Sequence, residues 1–467
     1  MIRHFLKRHC ELALYIVYFS CGAFVLYYGV SQHLFSYPPE GTDQRTILEC
    51  ARALVAGKLP EGHYRYSYSY TVLLAMLNML AGGKMWLTRI LQLAIAALIP
   101  PLICRTARLL GWGKSAGVAG ALLFVFSAAP LLIALDFLRA APLALAFLAL
   151  FHCFALAEFK ERTRKSRTGG YYAAAGILAA LCILGRENFL AVVAVPAIYL
   201  LCRKNRSALA RFLPSALLPL AAVVLFNGIY YHSFQLVPGN VGNIARFYGG
   251  ADGGISRQAV NLLGAIPRNL TDFLSSYEIP NSLSVYAHRD IIPMLRVFAV
   301  PFNLLVALGA LGAWFRRRES GAVLAALLAA AYVASMMCFT VFYRFRVPLT
   351  PLLALLAAGN VGVWAQLWKR GRRAPVAAAL LLVLGFTLAT AADPESRRSV
   401  PEQLSVVRVL VYNDRLDEAE KLLDLLAGRE VPAVAERRLL ARKLASAGDE
   451  AGAIRVISRI APLFKRP

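Results

Sequence analysis

Residues 12–30 read LALYIVYFSCGAFVLYYGV, and residues 38–47, shortly after, read PPEGTDQRTI. The first stretch contains no charged side chain and has roughly the 20 residues that a helix needs to cross a bilayer. Similar apolar runs recur along the 467 residues, of which 58% are hydrophobic, and the mean hydropathy is +0.57. A soluble chain of this length needs a more polar surface. The sequence therefore predicts an all-α, polytopic transmembrane helix bundle.

Short clusters of Lys and Arg separate the apolar runs and account for the formal charge of +25. Because such clusters mark cytoplasmic loops, we expect each to face the cytoplasm, and we expect no nucleic-acid partner. The predicted spans are 12–30, 86–104, 115–135, 140–158, 171–185, 188–202, 212–230, 292–314, 320–341, 347–367 and 374–392. These make about 11 crossings, with the N-terminus cytoplasmic and the C-terminus extracytoplasmic.

The first outer loop is predicted to contain two helices that lie on the membrane surface. Asp43 is suited to cap a helix in which Ile47, Cys50, Ala51 and Leu54 share one face. The run 71–80 is too short to cross and is predicted to be a second interfacial helix, preceded by tyrosines suited to the headgroup layer.

Apolar runs stop after residue 392, which divides the chain into a transmembrane domain, 1–392, and a soluble helical tail, 393–467. Leu410, Asp414 and Ala419 recur 34 residues later as Leu444, Gly448 and Ala453. That offset is the tetratricopeptide period. Two ordinary amphipathic hairpins are the alternative interpretation, and a protein partner of the tail is a further expectation.

Two carboxylates in the first outer loop, Glu40 and Asp43, are the candidate catalytic residues. One of them is suited to act as a general base where a lipid-borne phosphate leaves the membrane and an acceptor hydroxyl arrives from water. Asp43 is preferred because the start of a helix fixes its position. The alternative is a solvated turn and a simple helix cap.

Several arginines lie at predicted outer span ends, where the inside-positive bias makes basic residues uncommon. Their positive charge is suited to stabilise a phosphate that leaves during a reaction. The candidate substrate-binding side chains of these turns are Arg186, Glu187, Arg344, Arg346, Asp136 and Arg139. Snorkelling arginines, a local ion pair at Glu187 and helix capping at the 136–139 turn are the competing explanations.

The glycine-rich loop 237–254, VPGNVGNIARFYGGADGG, suits backbone that wraps closely around a ligand. Asn240, Asn243 and Tyr248 are its candidate sugar contacts. Histidines of the outer loops lack ligand spacing, so neither a metal site nor another cofactor is predicted.

In chain order, these features resemble the GT-C superfamily of membrane glycosyltransferases, near its bacterial relatives of the dolichyl-phosphate-mannose protein mannosyltransferases and the lipid A aminoarabinose transferases. The resemblance covers about residues 12–370. It rests on DQRTILECAR, YSYSYTVLLAMLNMLAG, GRENFL, the glycine-rich loop and YRFRVPLTP, which begin at residues 43, 66, 185, 237 and 343.

The resemblance implies an inverting transfer of a hexose or pentose from a polyprenyl phosphate to a lipid, glycan or protein acceptor at the extracytoplasmic face of a bacterial inner or plasma membrane. It puts Asp43 in the position of the catalytic acidic residue. The sequence departs from the family pattern in two places. Many relatives have a second acidic residue where the third span meets the fourth, whereas this turn, 135–142, reads LDFLRAAP and offers Asp136 at a displaced position. The usual prolines before the second interfacial helix are replaced by YSYSY.

Two other functions remain as alternatives. An O-antigen polymerase or ligase would use a lipid-diphosphate donor and usually concentrates arginines in a late loop, whereas the acidic site of this chain is early. A lipid or glycan transporter would need polar or broken helices at mid-membrane, whereas the predicted spans have apolar centres.

Overall fold

The computed structural model describes residues 9–32, 34–35, 38, 42–60, 67–163, 168–234, 236, 255–280, 284–338, 341–392, 400–427 and 433–460. Over these residues the regular structure is helical, and the extended pairing that they contain is an isolated bridge between Ser127 and Ala299. The predicted all-α class is confirmed.

The first half of the chain forms eleven helices in the described residues. They are α1 (Cys10–Ser31), α2 (Asp43–Val55), α3 (Tyr68–Leu80), α4 (Met85–Ala96), α5 (Ile99–Leu109), α6 (Lys114–Val125), α7 (Ala128–Ala134), α8 (Ala140–Arg162), α9 (Gly169–Gly185), α10 (Phe189–Cys202) and α11 (Arg206–Tyr231).

The second half continues the same helical pattern. It contains α12 (Ile255–Leu274), α13 (Val285–Ile291), α14 (Phe302–Phe315), α15 (Ser320–Met336), α16 (Tyr343–Arg346), α17 (Thr350–Lys369), α18 (Arg373–Ala389), α19 (Val400–Tyr412), α20 (Leu416–Ala427), α21 (Val434–Ser446) and α22 (Glu450–Ser458). Short 3-10 helices follow α13 at Pro293–Val297 and α16 at Val347–Leu349.

Apolar helices occupy every predicted span. Five stretches in the described residues are long and apolar enough to cross a membrane: Cys10–Ser31, Met85–Leu109, Ala140–Arg162, Arg206–Tyr231 and Tyr343–Lys369. Shorter apolar helices occupy the other predicted positions. Large apolar side chains such as Leu217, Leu218 and Ile229 on α11 are exposed, as lipid-facing residues are. The chain is an integral membrane protein, and the number of crossings stays a prediction.

Three predicted spans differ from the helices in their limits. The span 86–104 consists of α4 and α5, because Pro100 and Pro101 occupy the first turn of α5 and interrupt the backbone hydrogen bonds. The span 115–135 is divided between α6 and α7 at Ser127, which pairs with Ala299. The span 292–314 starts ten residues late, at Phe302, directly after Pro301.

Small residues allow close packing between α14 and α17. A Cβ atom added at Gly312 would lie 1.9 Å from the carbonyl oxygen of Leu356, a distance that no real contact allows. Gly176 of α9 allows a similar approach to the carbonyl of Phe212 in α11. Such contacts are typical of helix association in membranes, where water does not drive apolar surfaces together.

The chain divides into two compact units. Unit 1 contains residues 1–23, 39–276 and 298–391, and unit 2 contains 24–38, 277–297 and 392–467. Within unit 2 the tail contacts earlier segments of the chain. Helix α19 packs against α13, and Asn413 Nδ2 donates to the carbonyl of Gln32 at 2.7 Å. The proposed boundary at residue 392/393 remains a prediction.

The tail consists of two helical hairpins, α19 with α20 and α21 with α22. Residues that recur 34 positions apart have equivalent environments: Leu410 and Leu444 are buried, as are Ala419 and Ala453. Asp414 and Gly448, both with positive φ, close the two turns. The structure therefore repeats with the sequence, and the assignment to the tetratricopeptide class stays a prediction.

Candidate active site

Helix α2 begins with Asp43 at its first position, and Thr42 is its N-cap. The Thr42 hydroxyl accepts a hydrogen bond from the backbone N–H of Arg45 at 3.4 Å. The prediction that Asp43 caps this helix is therefore wrong. Because Thr42 takes that role, the Asp43 carboxylate can bind a group outside the helix while it stays beside the positive end of the helix dipole.

The most buried side chains of α2 are only in part those of the predicted face. Gln44, Ile47, Leu48 and Ala51 are buried, whereas Cys50 and Leu54 of the predicted face are half-buried. The second helix, α3, starts at Tyr68, so two of the tyrosines predicted to precede it belong to its first turn. Tyr68 and Tyr70 are buried rather than in the headgroup layer, and their hydroxyls donate to Asn227 and Gln92, each at 2.6 Å.

Arg344 forms an ion pair with Asp43 across some 300 residues of sequence. Arg344 Nη1 lies 2.7 Å from Asp43 Oδ2, and the side chains are 13% and 30% exposed, respectively. Arg344 is in α16, a short helix at the start of the segment that continues into α17. Arg344 of the YRFRVPLTP motif and Asp43 of the first outer loop are thus in direct contact within unit 1.

The ion pair lies at a narrow cavity that also contains two of the other predicted arginines. Its lining residues are Asp43, Ile47, Leu138, Arg139, Ala140, Arg186, Arg344 and Phe345. The free volume is about 10 Å³, which is about the room that one water molecule needs. In this state the side chains fill the site.

Arg139 and Arg186 come from the two predicted turns, before α8 and between α9 and α10. Arg139 Nη1 donates to the carbonyl of Gly185 at 3.0 Å, which joins the two turns. The guanidinium carbon of Arg186 lies 3.5 Å from the centre of the Phe345 ring. Stacking on an aromatic face holds a guanidinium in place without neutralising its charge.

Burial makes the positive charges of this site unfavourable. Burial lowers the pKa of Arg186 to about 9, and the neighbouring Arg139 and Arg344 act in the same direction, whereas Tyr332 and Glu187 oppose it. Burial also lowers the pKa of Arg139, against the attraction of Glu187 and Asp43. An anion that entered the cavity would relieve this penalty, because it would compensate the buried charges.

Two aromatic residues of this site were not among the sequence candidates. Phe345 lies between the two arginines of YRFRVPLTP, and its carbonyl accepts a hydrogen bond from the Tyr332 hydroxyl at 2.8 Å. Tyr332 is fully buried in α15 and packs against Phe147 and Phe189. The aromatic position between two arginines was a signal for Phe345, whereas nothing in the sequence near Tyr332 distinguishes it from an ordinary core residue.

Asp136 does not line the cavity but holds the helix that carries Asp43. Its Oδ2 accepts a hydrogen bond from Gln44 Nε2 at 2.9 Å, and its Oδ1 accepts one from the backbone N–H of Phe137 at 2.9 Å. Burial raises the pKa of Asp136, and the Gln44 hydrogen bond and the Arg89 charge oppose the rise. Gln44, the neighbour of Asp43 and not among the sequence candidates, thus connects Asp136 to α2.

Arg346 lies outside the cavity lining, although it is two positions from Arg344. Its guanidinium is buried and donates to the carbonyls of Ser275, at 3.0 Å, and of Asp272. These bonds fix the end of α12. The structure thus gives Arg346 an anchoring position in place of the predicted contact with substrate.

The remaining candidates fall into two groups. Glu187 lies beside the cavity and interacts electrostatically with Arg139 and Arg186. Glu40, Asn240, Asn243 and Tyr248 lie outside the described residues. Within the described part of the chain, no group of three or more His, Cys, Asp or Glu side chains has the arrangement of a metal site.

One family model matches part of the sequence. The sequence model of the Alg9-like mannosyltransferase family, which is of the GT-C superfamily, matches residues 60–243. The predicted resemblance to GT-C membrane glycosyltransferases is confirmed by this match. No curated protein matches the sequence.

The solved structures that are similar to the chain include two membrane proteins with bound lipid phosphates. ArnT from Cupriavidus metallidurans, bound to undecaprenyl phosphate, has a TM-score of 0.47 and 15% identity over 95% of this chain and 76% of its own. The oligosaccharyltransferase AglB from Archaeoglobus fulgidus, in complex with an inhibitory peptide and a dolichol-phosphate, has a TM-score of 0.42 and 13% identity over 88% of this chain and 59% of its own.

Proposed function

We propose that this protein is a membrane glycosyltransferase that moves a sugar from a polyprenyl phosphate to an acceptor, with inversion at the anomeric carbon. The observation that carries the proposal is the ion pair of Asp43 with Arg344, in a cavity also lined by Arg139 and Arg186. A carboxylate among three guanidinium groups suits a reaction that takes a proton from one substrate and releases a phosphate from the other.

The arginines are proposed to bind the donor phosphate. Three guanidinium groups against one cavity-lining carboxylate leave an excess of positive charge, and burial already disfavours that charge on Arg139 and Arg186. A phosphate oxygen bound to them would form charge-assisted hydrogen bonds. The same groups would stabilise the negative charge that develops as the phosphate leaves.

Donor binding is proposed to release Asp43 from Arg344. The cavity holds about 10 Å³, so a phosphate fits only if side chains move apart. The phosphate would replace the carboxylate as the partner of Arg344, and Asp43 would then be ready to accept a proton. This exchange would keep the base inactive until the donor is present.

In the chemical step, the acceptor oxygen attacks the anomeric carbon from the face opposite the phosphate. The bond from that carbon to the phosphate oxygen breaks, and its electron pair stays on the departing polyprenyl phosphate. The acceptor proton passes to Asp43. A single displacement of this kind inverts the configuration. Asp136 and Gln44 act as positioning residues, because they hold α2 by a hydrogen bond rather than touch the reacting atoms.

The site is proposed to face the extracytoplasmic side, in a bacterial inner or plasma membrane, since the basic clusters lie at the opposite span ends of the predicted topology. Glu40, Glu187 and the glycine-rich loop with Asn240, Asn243 and Tyr248 are proposed to complete the binding of the sugar and the acceptor. The tail, residues 393–467, is proposed to bind a protein partner through its helical hairpins.

The test compares transfer of radiolabelled sugar from polyprenyl monophosphate donors by the purified wild-type protein and by Asp43→Asn. Loss of the general base is expected to lower kcat by roughly 10²–10⁴. Glu49→Gln is the matched control, because Glu49 lies on the same helix with an exposed side chain that pairs with Arg45. Equal turnover by Asp43→Asn and the wild type would exclude Asp43 as the base, and transfer only from diphosphate donors would favour a polymerase or ligase.

A further inference from the structure

We propose that a second cavity, at the helix ends that carry the basic clusters, binds the phosphate of an anionic phospholipid headgroup. The cavity lies in unit 1, where the end of α8 meets the residues that follow α10 and those that precede α15. None of its lining residues belongs to the candidate active site. The proposal goes beyond the proposed glycosyltransferase function and does not depend on it.

The cavity is large enough for a headgroup. Its volume is about 430 Å³, and Arg162, Arg203 and Arg318 contribute to its lining. A neighbouring cavity of about 340 Å³ shares Glu158, Arg162 and Arg203 and adds Glu161 and Lys204. Volumes of roughly 300–1,000 Å³ are typical of small-molecule sites.

The carboxylates at this cavity already have partners within the protein. Glu158, whose side chain is 10% exposed, accepts hydrogen bonds from Tyr199, from Arg203 at 2.9 Å and from Ser320 at 3.1 Å. Glu319 likewise binds Arg316 at 2.7 Å and the indole N–H of Trp112 at 2.6 Å. These carboxylates therefore hold the walls of the cavity together.

Two of the three arginines, Arg162 and Arg318, retain capacity for an anion. The Arg162 side chain is 65% exposed, and its Nη2 donates to the Ser320 hydroxyl at 2.5 Å and lies 3.6 Å from Glu158 Oε2. Its other N–H donors are available to a ligand. Arg318 is exposed, and among the described residues it has no carboxylate within 4.0 Å. Two exposed guanidinium groups, beside two carboxylates that already accept hydrogen bonds within the protein, form a site for a phosphate.

An apolar wall beside these arginines indicates that the phosphate belongs to a lipid. Leu109, Leu110 and Phe159 also line the cavity, and the Phe159 side chain is 44% exposed. A free phosphate has no apolar atoms to pack against this wall, whereas the glycerol and first acyl carbons of a phospholipid would contact it. Basic pockets between membrane helices on the cytoplasmic side are suited to anionic headgroups.

The experiment measures lipid binding to the full-length purified protein. Native mass spectrometry counts lipids retained from phosphatidylglycerol or phosphatidylcholine, and thermal unfolding in nanodiscs of each lipid gives a second readout. The test variant is Arg162→Gln with Arg318→Gln. The matched control is Arg317→Gln with Arg370→Gln, which removes the same charge from exposed residues outside the cavity lining.

We expect the wild type and the control to retain phosphatidylglycerol and to unfold at a higher temperature in its presence, because a ligand of the folded state stabilises that state. The test variant should bind it about tenfold more weakly or worse and lose that temperature increase. Its unfolding temperature in phosphatidylcholine should equal that of the control, which verifies folding. Equal retention by the test and control variants would overturn the proposal. Displacement of the lipid by millimolar inorganic phosphate would overturn its assignment to a phospholipid.

Discussion

Arg344 contacts two other residues of the candidate site, Asp43 and Phe345. It forms an ion pair with Asp43 and lies 5.1 Å from the centre of the Phe345 ring, so one side chain contacts both the carboxylate and the aromatic platform of Arg186. Its planar group can bind a carboxylate or a phosphate through two parallel hydrogen bonds, which a lysine cannot do.

Replacing Arg344 is therefore expected to weaken donor use strongly. In sugar transfer from a polyprenyl monophosphate, Arg344→Gln should lower kcat/KM by roughly 10²–10³, the loss typical of one charged donor at a developing anion. The kcat/KM of Arg344→Lys should lie between those of the wild type and Arg344→Gln, because lysine keeps the positive charge but cannot form two parallel hydrogen bonds. Arg317→Gln serves as the control. Activity of Arg344→Gln within twofold of the wild type would remove Arg344 from the proposed mechanism.

Gln44 and Asp136 offer a test at the same scale that depends on pH. Gln44→Glu would bring two carboxylates within hydrogen-bond distance in a buried place, where Asp136 already has a raised pKa. The folded protein then binds a proton more tightly than the unfolded chain, whose acidic groups titrate at about 4. The stability of the variant should accordingly fall as pH rises above that value, up to the raised pKa of the pair.

The measurement is the thermal unfolding midpoint of the purified protein between about pH 4.5 and pH 8, a window above the unfolded value. Gln366→Glu is the control, because Gln366 is exposed near the end of α17. Gln44→Glu should lose stability with rising pH relative to both the wild type and the control. Parallel pH profiles for all three proteins would contradict the close contact of residues 44 and 136.

At the scale of helices, glycine determines how closely α14 and α17 pack. The backbone of Leu356 lies where a Gly312 side chain would be, so a methyl group at this position has to separate the two helices. Gly385, in α18, has open space around it. The two glycines are of the same residue type in apolar helices and differ in their neighbours alone.

Gly312→Ala is expected to destabilise the protein by roughly 1–3 kcal/mol through overpacking. Gly385→Ala, its control, should be neutral or stabilise by up to about 1 kcal/mol, because alanine favours the helix. Thermal unfolding in detergent compares the two variants. If both shift the midpoint equally, helix propensity rather than packing determines the result, and the close contact is not important for stability.

At the scale of the whole molecule, the predicted topology separates two charged sites. Asp43 and the three cavity arginines lie in loops and turns that we expect on the extracytoplasmic side. Arg162, Arg203 and Arg318 belong to the basic clusters that we expect on the cytoplasmic side. A protein with this topology would perform its chemistry at one membrane surface and bind an anionic lipid at the other.

Cysteine labelling tests this arrangement. In a background without the eight native cysteines, Glu49→Cys should react with a membrane-impermeant maleimide added outside sealed, right-side-out vesicles. Lys204→Cys should react only after the membrane is permeabilised. Both parent residues are exposed, so accessibility within the protein does not limit the reaction. The opposite labelling pattern would invert the predicted topology, and labelling of both from outside would place the two sites on one surface.

Polar side chains on the membrane helices pair with partners on neighbouring helices. Helices α5 and α8 carry Thr106 and His152, whose side chains lie 2.8 Å apart. Thr106 lies beyond the predicted span 86–104, and His152 lies three residues past the middle of the span 140–158, so the expectation of apolar span centres stays a prediction. Each polar group has a partner on a neighbouring helix, which lowers the cost of its burial. The sequence showed the polar residues, but their pairing required the packing of the helices.

The sequence alone determined that the chain is helical and lies in a membrane, because run length and composition decide whether a segment is stable in lipid. It also determined which turns carry carboxylates and arginines. Tertiary structure decided which of these groups meet. Arg344 and Arg346 illustrate the reason: residues two positions apart on a helical turn point in nearly opposite directions, so one binds Asp43 and the other binds the end of α12. Only the packing of distant helices determines which of the two faces the carboxylate.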